Sequence, residues 1–380
     1  MREKLRLIST IAAAVCMIAS CSDDPGANSD ASTDTDADAD TDVDTDTDTD
    51  TDSDSDSDTD SDTEPVIVES CTDGWCEIPA GTFVFGSFPS EPCRDEYSDQ
   101  QFEVTLTRSF VIKQTEVTQA EWEAAGFPNP SKGTVAPDVP VFFVNYFEAM
   151  AYANFLSTAE GLDTCYDLSA CEGTIGSSCP DGEYYAFGCH NEQGTGEILP
   201  QIYRCEGDVH KYVDWYACPG YRLPTSAEWE YAARAGATGA TYMGEITTTP
   251  ENGCSDPVAD EVMWYCGTTE AMMPVGGKPK NGWGLYDVLG NAQEWTDYVF
   301  KGLSLHETLG VEPPIVDPTG DGVGEFRDMR GGMYRDVACF ARLGSQRGAP
   351  AEVRGIDLGF RLARTIESFD DFEEEACVWK

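Results

Sequence analysis

Short alternating runs of apolar and polar residues predict strands in four parts of the chain. Residues 75–87 form an apolar run bounded by turn residues, and residues 102–110 alternate apolar with polar side chains. Two further short strands flanked by turns are predicted at 329–334 and 358–364. Much of the remaining chain is rich in turn residues, so the pattern predicts an α+β fold with little regular secondary structure.

Capping residues place the helices more clearly than the strands. N-terminal caps are predicted at Thr118, Asn145 and Thr225. The clearest is Thr225, because Glu228 completes a capping box and Pro224 lies just before the helix. The helix after Asn145 is predicted to cover residues 146–158, and Gly236 is predicted to end the helix after Thr225.

The N-terminus has the pattern of an export signal. Residues 1–21 begin with basic side chains and continue as an apolar run too short to span a membrane convincingly. The signal ends at Cys21 in a sequence that resembles a bacterial lipobox, so we expect Cys21 to carry lipid. Ser22 resembles the sorting residue of outer-membrane lipoproteins, which predicts that location. The alternative is an ordinary signal peptide with an incidental cysteine.

Residues 22–64 are a repeat of Asp with Thr, Ser or Ala. The segment contains 18 Asp and one Glu without any Lys or Arg, so we expect a disordered, extended tether. The whole chain carries a formal net charge of −47. This charge argues against nucleic acid and against an anionic membrane surface as partners. The membrane partner is therefore expected only through the N-terminal lipid.

Cysteine usage agrees with export. Of the 15 cysteines, 13 would remain in the globular part, so disulfides are expected and one cysteine would lack an intramolecular partner. Residues 161–219 hold six of them and form a predicted cysteine-rich insertion. Cys179, Cys189 and His190 allow a zinc site, but the insertion has no CxxC spacing, which favours disulfide staples.

The stretch 281–297 reads NGWGLYDVLGNAQEWTD and has neither helical nor strand periodicity. Its glycines, asparagines and acids predict a structured loop that holds a metal or joins parts of the core.

Seven motifs in this order resemble one family. They are IPAGTFVFGS, TEVTQAEW, VNYFEAMAYANFLS, RLPTSAEWEYAARAG, NGWGLYDVLGNAQEW, RGGMY and GFRLAR. Together they are similar to the formylglycine-generating enzyme, or sulfatase-modifying factor, domain. The resemblance covers roughly residues 72–365 and implies one domain over 65–380 with a fold similar to a C-type lectin.

The family's enzyme uses copper(I) to oxidise a sulfatase cysteine to formylglycine. The resemblance implies copper-binding cysteines six and eleven residues after the arginine of the RGG motif, and these places are Asp336 and Ala341 here. Only Cys339 lies nearby, so it is a weak catalytic candidate and is interpreted as a disulfide partner or the odd thiol. Copper is not expected, and no catalytic residue is supported, because Cu(I) prefers soft thiolate ligands.

The resemblance also implies a structural calcium ion in the 281–297 loop. Its ligands would be the side chains of Asp287 and Glu294 and the backbone carbonyls of Gly290 and Ala292. The alternative is a tight turn in which Glu294 only caps a backbone amide.

Three functions follow as hypotheses. The first is an envelope-anchored, catalytically silent binding or assembly protein, whose protein or glycan partner the sequence does not identify. The second is an active oxygen-dependent oxidase that makes formylglycine. The third is a calcium-dependent, lectin-like glycan binder, suggested by fold analogy alone.

Overall fold

The computed structural model describes residues 71–97, 99–177, 201–249, 253–302, 309–319 and 326–366. The predicted signal peptide, Cys21 and the Asp-rich tether lie outside these ranges. The helices are α1 Gln119–Ala124, α2 Tyr146–Glu160, α3 Ser226–Arg234 and α4 Pro257–Val262, with 3₁₀ turns at Trp215–Ala217 and Ala338–Phe340. The strands are β1 Cys71–Thr72, β2 Trp75–Ile78, β3 Gly81–Phe85, β4 Phe102–Leu106, β5 Phe110–Lys113, β6 Gln293–Val299, β7 Ile315–Val316, β8 Phe326–Arg330, β9 Arg347–Pro350, β10 Leu358–Phe360 and β11 Ala363–Thr365.

The strands form three small sheets. One has the order β1-β2-β5-β11, a second β10-β6-β8-β9 and a third β3-β4-β7. In the second sheet β6 pairs parallel with β10 and antiparallel with β8. This arrangement puts β6 inside its sheet, and all seven of its residues are buried.

Three predicted strands are wrong as single elements, and of residues 329–334 only Met329 and Arg330 lie in a strand, β8. Residues 358–364 divide into β10 and β11, which belong to different sheets. Residues 75–87 divide into β2 and β3, because Pro79 and Ala80 interrupt the run and the two halves pair with different strands, β5 and β4. Residues 102–110 likewise divide into β4, which pairs with β3, and the start of β5, which pairs with β2. The alternation of apolar and polar residues therefore continues from a strand of one sheet into a strand of another. Periodicity alone does not show where the first strand ends.

The three predicted helix caps are confirmed. Thr118, Asn145 and Thr225 each accept a hydrogen bond from the third helical backbone N–H in a reciprocal capping box. Helix α2 continues to Glu160, two residues past the prediction, and ends at Gly161 in the left-handed conformation. No helix among the described residues is long and apolar enough to cross a membrane.

The prediction of a loop over all of 281–297 is wrong for its last part. Gln293 to Asp297 belong to β6, although the strand carries polar side chains that periodicity assigns to solvent. Those side chains have buried partners: Thr296 donates to Asp328, and Glu294 binds Arg361. Trp283 and Trp295 are buried in the core.

All ten cysteines of the described ranges are in disulfides. The pairs are Cys71–Cys76, Cys93–Cys339, Cys165–Cys218, Cys171–Cys205 and Cys254–Cys266. Two of them staple the cysteine-rich stretch, while Cys179, Cys189 and His190 of the zinc alternative lie outside the described residues. Disulfides of this density are typical of exported proteins.

Candidate functional site

The segment that follows β8 leaves the sheet through two glycines. Gly331 and Gly332 both have positive φ, and a Cβ on Gly332 would lie 2.8 Å from the Cα of Ala341. Such close backbone approach requires glycine at this position. The turn therefore brings residues 336–342 back against the end of β8.

Asp336 lies in this segment as one half of an ion pair. Its Oδ2 accepts from the backbone N–H of Met333 at 3.1 Å and from Arg347 Nη1 at 2.9 Å, and its Oδ1 accepts from Arg347 Nη2 at 3.2 Å. Burial raises the pKa of Asp336, and the Arg347 guanidinium opposes that rise. Both oxygens of Asp336 are thus already occupied by donors of the protein.

Cys339 is bonded to Cys93, and Ala341 is fully buried. The disulfide joins the loop after β3 to the segment after β8. A second connection runs beside it, because Arg342 donates to Glu91 Oε1 at 2.5 Å and to Asp99 Oδ2 at 2.8 Å. The loop is therefore held over residues 339–342 by one covalent bond and one buried ion-pair network.

The donors at positions 336, 339 and 341 do not fit a copper(I) site. The side chains there are a carboxylate paired with arginine, a sulfur in a disulfide and a methyl group. A Cu(I) ion needs soft ligands such as free thiolates. No step of the family's oxidation can be derived for this arrangement.

A second ion pair lies close to the first. Arg335 binds Asp357 through Nε at 2.9 Å, and its Nη2 also donates to the Tyr334 hydroxyl at 2.7 Å. Burial raises the pKa of Asp357 to about 6, the Asp336 carboxylate adds to the rise, and Arg335 opposes it. Sequence reasoning missed Arg335, Arg347, Asp357 and Cys93. Only the density of arginines after the RGG motif could have indicated the two pairs.

The 281–297 loop is fixed where Gly290 meets Trp264. Gly290 has φ +84°, and a Cβ there would lie 1.9 Å from the Trp264 carbonyl oxygen, so only glycine fits. Next to it, Asn291 accepts from the Met273 backbone N–H and donates to the Glu116 carboxylate at 3.1 Å. These contacts give the backbone carbonyls of the loop fixed directions.

Of the predicted calcium ligands, Asp287, Gly290 and Ala292 lie in the loop and Glu294 lies at the start of β6, and the two carboxylates have different surroundings. Glu294 is fully buried and accepts from Arg361 Nε at 2.6 Å, Arg361 Nη2 at 2.7 Å and Trp229 Nε1 at 2.8 Å. Asp287 accepts from the Gly276 backbone N–H through Oδ2, while the Trp264 side chain and the Lys278 backbone N–H approach the carboxylate without a bond of good geometry to the buried Oδ1. Burial raises the pKa of Asp287 to about 6 against the effects of the Gly276 N–H and Arg361.

The buried Oδ1 of Asp287 accepts no hydrogen bond of good geometry and fits a calcium ligand, since calcium prefers carboxylate and carbonyl oxygens. Within the described part of the chain, no group of three or more His, Cys, Asp and Glu side chains is placed to hold a metal. A calcium ion at this loop would therefore depend on backbone carbonyls, such as those of Gly290 and Ala292, for much of its coordination.

Residues 61–366 match the family described as the sulfatase-modifying factor enzyme 1-like domain. The chain belongs to this family. The predicted resemblance is confirmed, and so is the mixed α+β fold that it implied.

Two curated relatives show how much of the family protein is shared. The chain is 33% identical over 175 residues to the formylglycine-generating enzyme of Streptomyces coelicolor, which covers 44% of this chain and 53% of that enzyme. It is 30% identical over 211 residues to the chaperone protein LppX of Paenibacillus barcinonensis, covering 53% of this chain and 65% of LppX. The chain thus spans less than two thirds of the length of either relative.

Solved structures of similar fold include two with high coverage. Treponema denticola variable protein 1 superposes with a TM-score of 0.53 and 25% identity, covering 77% of this chain and 95% of that protein. PvdO from Pseudomonas aeruginosa gives a TM-score of 0.52 and 21% identity, covering 77% and 94%. At 21% identity the likeness to PvdO concerns the fold alone.

Proposed function

We propose that this protein is a lipid-anchored member of the sulfatase-modifying factor family that acts in the cell envelope by binding or assembly, without copper-dependent oxidation. One observation carries the proposal. The place of the two copper-binding cysteines holds the Asp336–Arg347 ion pair and the buried Ala341, and the neighbouring Cys339 is bonded to Cys93.

Two further observations support this function. The chain is similar both to a formylglycine-generating enzyme and to LppX, which is named as a chaperone protein. The five disulfides of the described residues suit an oxidising compartment outside the cytoplasm. A chaperone-like role in the envelope agrees with both and needs no redox centre.

The oxidase alternative is tested with copper(I) and a peptide carrying a sulfatase cysteine. We expect the purified mature protein to produce no aldehyde and to bind no stoichiometric copper(I), because positions 336 and 341 carry no thiolates. The enzyme from Streptomyces coelicolor, assayed in parallel, is the positive control. Copper-dependent oxidation that disappears in Cys339→Ala would overturn the proposal.

The lipid anchor is tested by labelling growing cells with a radioactive fatty acid. We expect label on the wild-type protein and none on Cys21→Ala, which should leave the membrane fraction, because stable anchoring requires acyl chains. Cys16→Ala is the matched control, since Cys16 lies inside the predicted signal and its loss should not change labelling. A wild-type protein without label would support the ordinary signal peptide instead.

We also propose that the 281–297 loop binds a structural calcium ion through Asp287 and the carbonyls of Gly290 and Ala292. The buried Oδ1 of Asp287, which accepts no hydrogen bond of good geometry, supports this site. When bound, the ion would supply positive charge and join the turn at Gly290 to the segment before it. Glu294, the other predicted ligand, already binds Arg361 through both oxygens.

A further inference from the structure

Strand β3 forms one edge of the β3-β4-β7 sheet. It pairs with β4 in an unbroken antiparallel register, from Gly81 opposite Leu106 to Phe85 opposite Phe102. Within the described ranges no strand pairs with its other side. Strand β3 therefore has one paired side and one side open to a further strand.

The register shows which backbone groups face the open side. The Thr105 carbonyl of β4 accepts from the Asp317 N–H at 2.9 Å, so it points toward β7 and away from β3. Thr82 and Thr105 are therefore a non-hydrogen-bonded pair, and their side-chain hydroxyls lie 2.8 Å apart. Bonding alternates along an antiparallel pair, so the N–H and C=O groups of both Thr82 and Val84 face outward. None of the described residues bonds these backbone groups.

The open edge is exposed and regular. Thr82 is exposed, and Val84 is 47% exposed. Natural proteins commonly protect such an edge with a lysine, a proline or a bulge, and β3 has none of these. Its five residues thus keep an edge that another chain can pair with.

Both ends of β3 are fixed by contacts with helix α3. At the start of the strand, a Cβ on Gly81 would lie 2.2 Å from the Tyr231 hydroxyl oxygen. At the end, Gly86 donates its N–H to Glu230 at 2.7 Å, and its carbonyl accepts from Arg234 at 2.7 Å. An incoming strand would meet a backbone that is already held in place, which reduces the entropy lost on binding.

The charge of the protein indicates the kind of strand that would bind. The chain has 70 acidic and 23 basic residues, and the tether contains only 19 of the acids. The one charged residue of the β3-β4-β7 sheet is Glu103, which is exposed and lies opposite Val84. A second copy of this chain would bring the same negative charge to the edge, whereas a basic segment would be attracted to it.

We propose that the open edge of β3 binds an extended, basic segment of another polypeptide as an added strand. Backbone hydrogen bonds with Thr82 and Val84 would hold the segment, and its basic side chains would lie on the same face of the sheet as Glu103. The inference names the class of partner for the binding role proposed above, and it rests on that role.

Peptide binding to full-length mature protein tests the edge. The probe is a fluorescent peptide of about nine residues with alternating valine and lysine, which is long enough to span the strand. A first counterpart carries N-methyl groups on successive residues, which block hydrogen bonding along both of its edges. A second counterpart has glutamate in place of lysine.

We expect the wild-type protein to bind the lysine peptide and neither counterpart, and the bound peptide should slow amide hydrogen exchange at Thr82 and Val84. T82P and V84P should each weaken binding by about tenfold or more, because proline removes the outward N–H and its ring obstructs the added strand. Those N–H groups make no bond within the sheet, so both variants should fold. T82A and V84T are the matched controls, since they keep the N–H and should bind nearly as well as the wild-type protein.

Several results would overturn the proposal. Lack of binding to the lysine peptide, or equal binding of the glutamate peptide, would remove the basic partner. Unchanged binding in T82P and V84P would place the peptide elsewhere. Slow exchange of both amides before any peptide is added would show that the chain itself already covers the edge, and a dimer that T82P dissociates would assign the edge to a second copy. If a proline variant fails to fold, amide exchange in the wild-type protein with each peptide decides the question. The copper assay tests the proposed function separately.

Discussion

Replacing Arg361 by methionine is expected to lower the free energy of unfolding by about 3–5 kcal/mol, the typical cost of removing one partner from a buried ion pair. Arg361 and Glu294 are both fully buried. Arg361 also donates to the backbone carbonyls of Lys113, Gln114 and Tyr286, which it joins to β6. The substitution would remove the cation that balances the buried Glu294 charge and leave Glu294 only its Trp229 donor, and urea unfolding at neutral pH measures the loss.

An exposed ion pair supplies the matched control. Arg108 and Asp214 form a similar bond at 2.8 Å, but their side chains are 38% and 52% exposed. Arg108→Met should therefore cost less than about 1 kcal/mol. The double variant R361M/E294Q should recover part of the loss, because it removes the uncompensated charge. A cost for R361M similar to that of R108M would contradict the importance given to burial here.

Stability is expected to fall as the pH rises from about 6.5 to about 9, because of His210. Both ring nitrogens of this histidine face carboxylates: Nδ1 lies 2.6 Å from Asp208 and Nε2 lies 2.9 Å from Asp297. Only the doubly protonated ring can donate to both. Burial lowers the pKa of His210, but Asp297 and Asp208 outweigh it and raise the pKa to about 9.

The sign of the effect follows from the raised pKa. Protonated His210 stabilises the folded protein fully below its unfolded pKa of 6.5, and this contribution is lost as the pH passes the folded value of about 9. A rise of this size corresponds to about 3 kcal/mol, at roughly 1.4 kcal/mol per pKa unit. Other titratable side chains lie in the cluster around Asp297, and their protonation states must not change over this pH range. They are Tyr146 and Tyr166, whose hydroxyls donate to Asp297, and Arg327, which lies over the Tyr146 ring.

Unfolding in urea at a series of pH values, with the disulfides intact, measures this dependence. His210→Gln should lose about 3 kcal/mol near pH 6, and its difference from the wild-type protein should shrink to less than about 1 kcal/mol above pH 9. Taking the difference removes the contributions of other titrating groups. A difference that stays constant with pH would show that His210 acts through packing against Trp215 and not through its charge.

Local signals in the sequence predicted the helices well and the strands less well. The caps at Thr118, Asn145 and Thr225 involve contacts three residues apart, so the sequence contains nearly all the information they need. The sequence predicts a loop where β6 begins, because the polar side chains of this strand are buried against partners far along the chain. Asp297, for example, binds His210 from a position 87 residues away. No local pattern contains that pairing.

The candidate sites also differ in how far the sequence could predict them. The family motifs predict Asp287, Gly290 and Glu294 in one loop, whereas the structure places Glu294 in β6, bound to Arg361. The bond from Asn291 to the Glu116 carboxylate could not be predicted, since the two residues are 175 positions apart in the sequence. The disulfide of Cys339 with Cys93 also escaped prediction, because cysteine counting leaves connectivity open.

The Cys93–Cys339 disulfide makes the order of events during export important. The two cysteines are separated by 246 positions in the sequence. Cys93 therefore lacks its native partner while most of the domain is translocated. Six other described cysteines, from Cys165 to Cys266, emerge before the correct partner. Closing a shorter loop costs less entropy, so these nearer thiols compete for Cys93 first. A Cys93 that first pairs with one of these thiols can reach Cys339 only by disulfide exchange, and only after the C-terminal segment has been translocated.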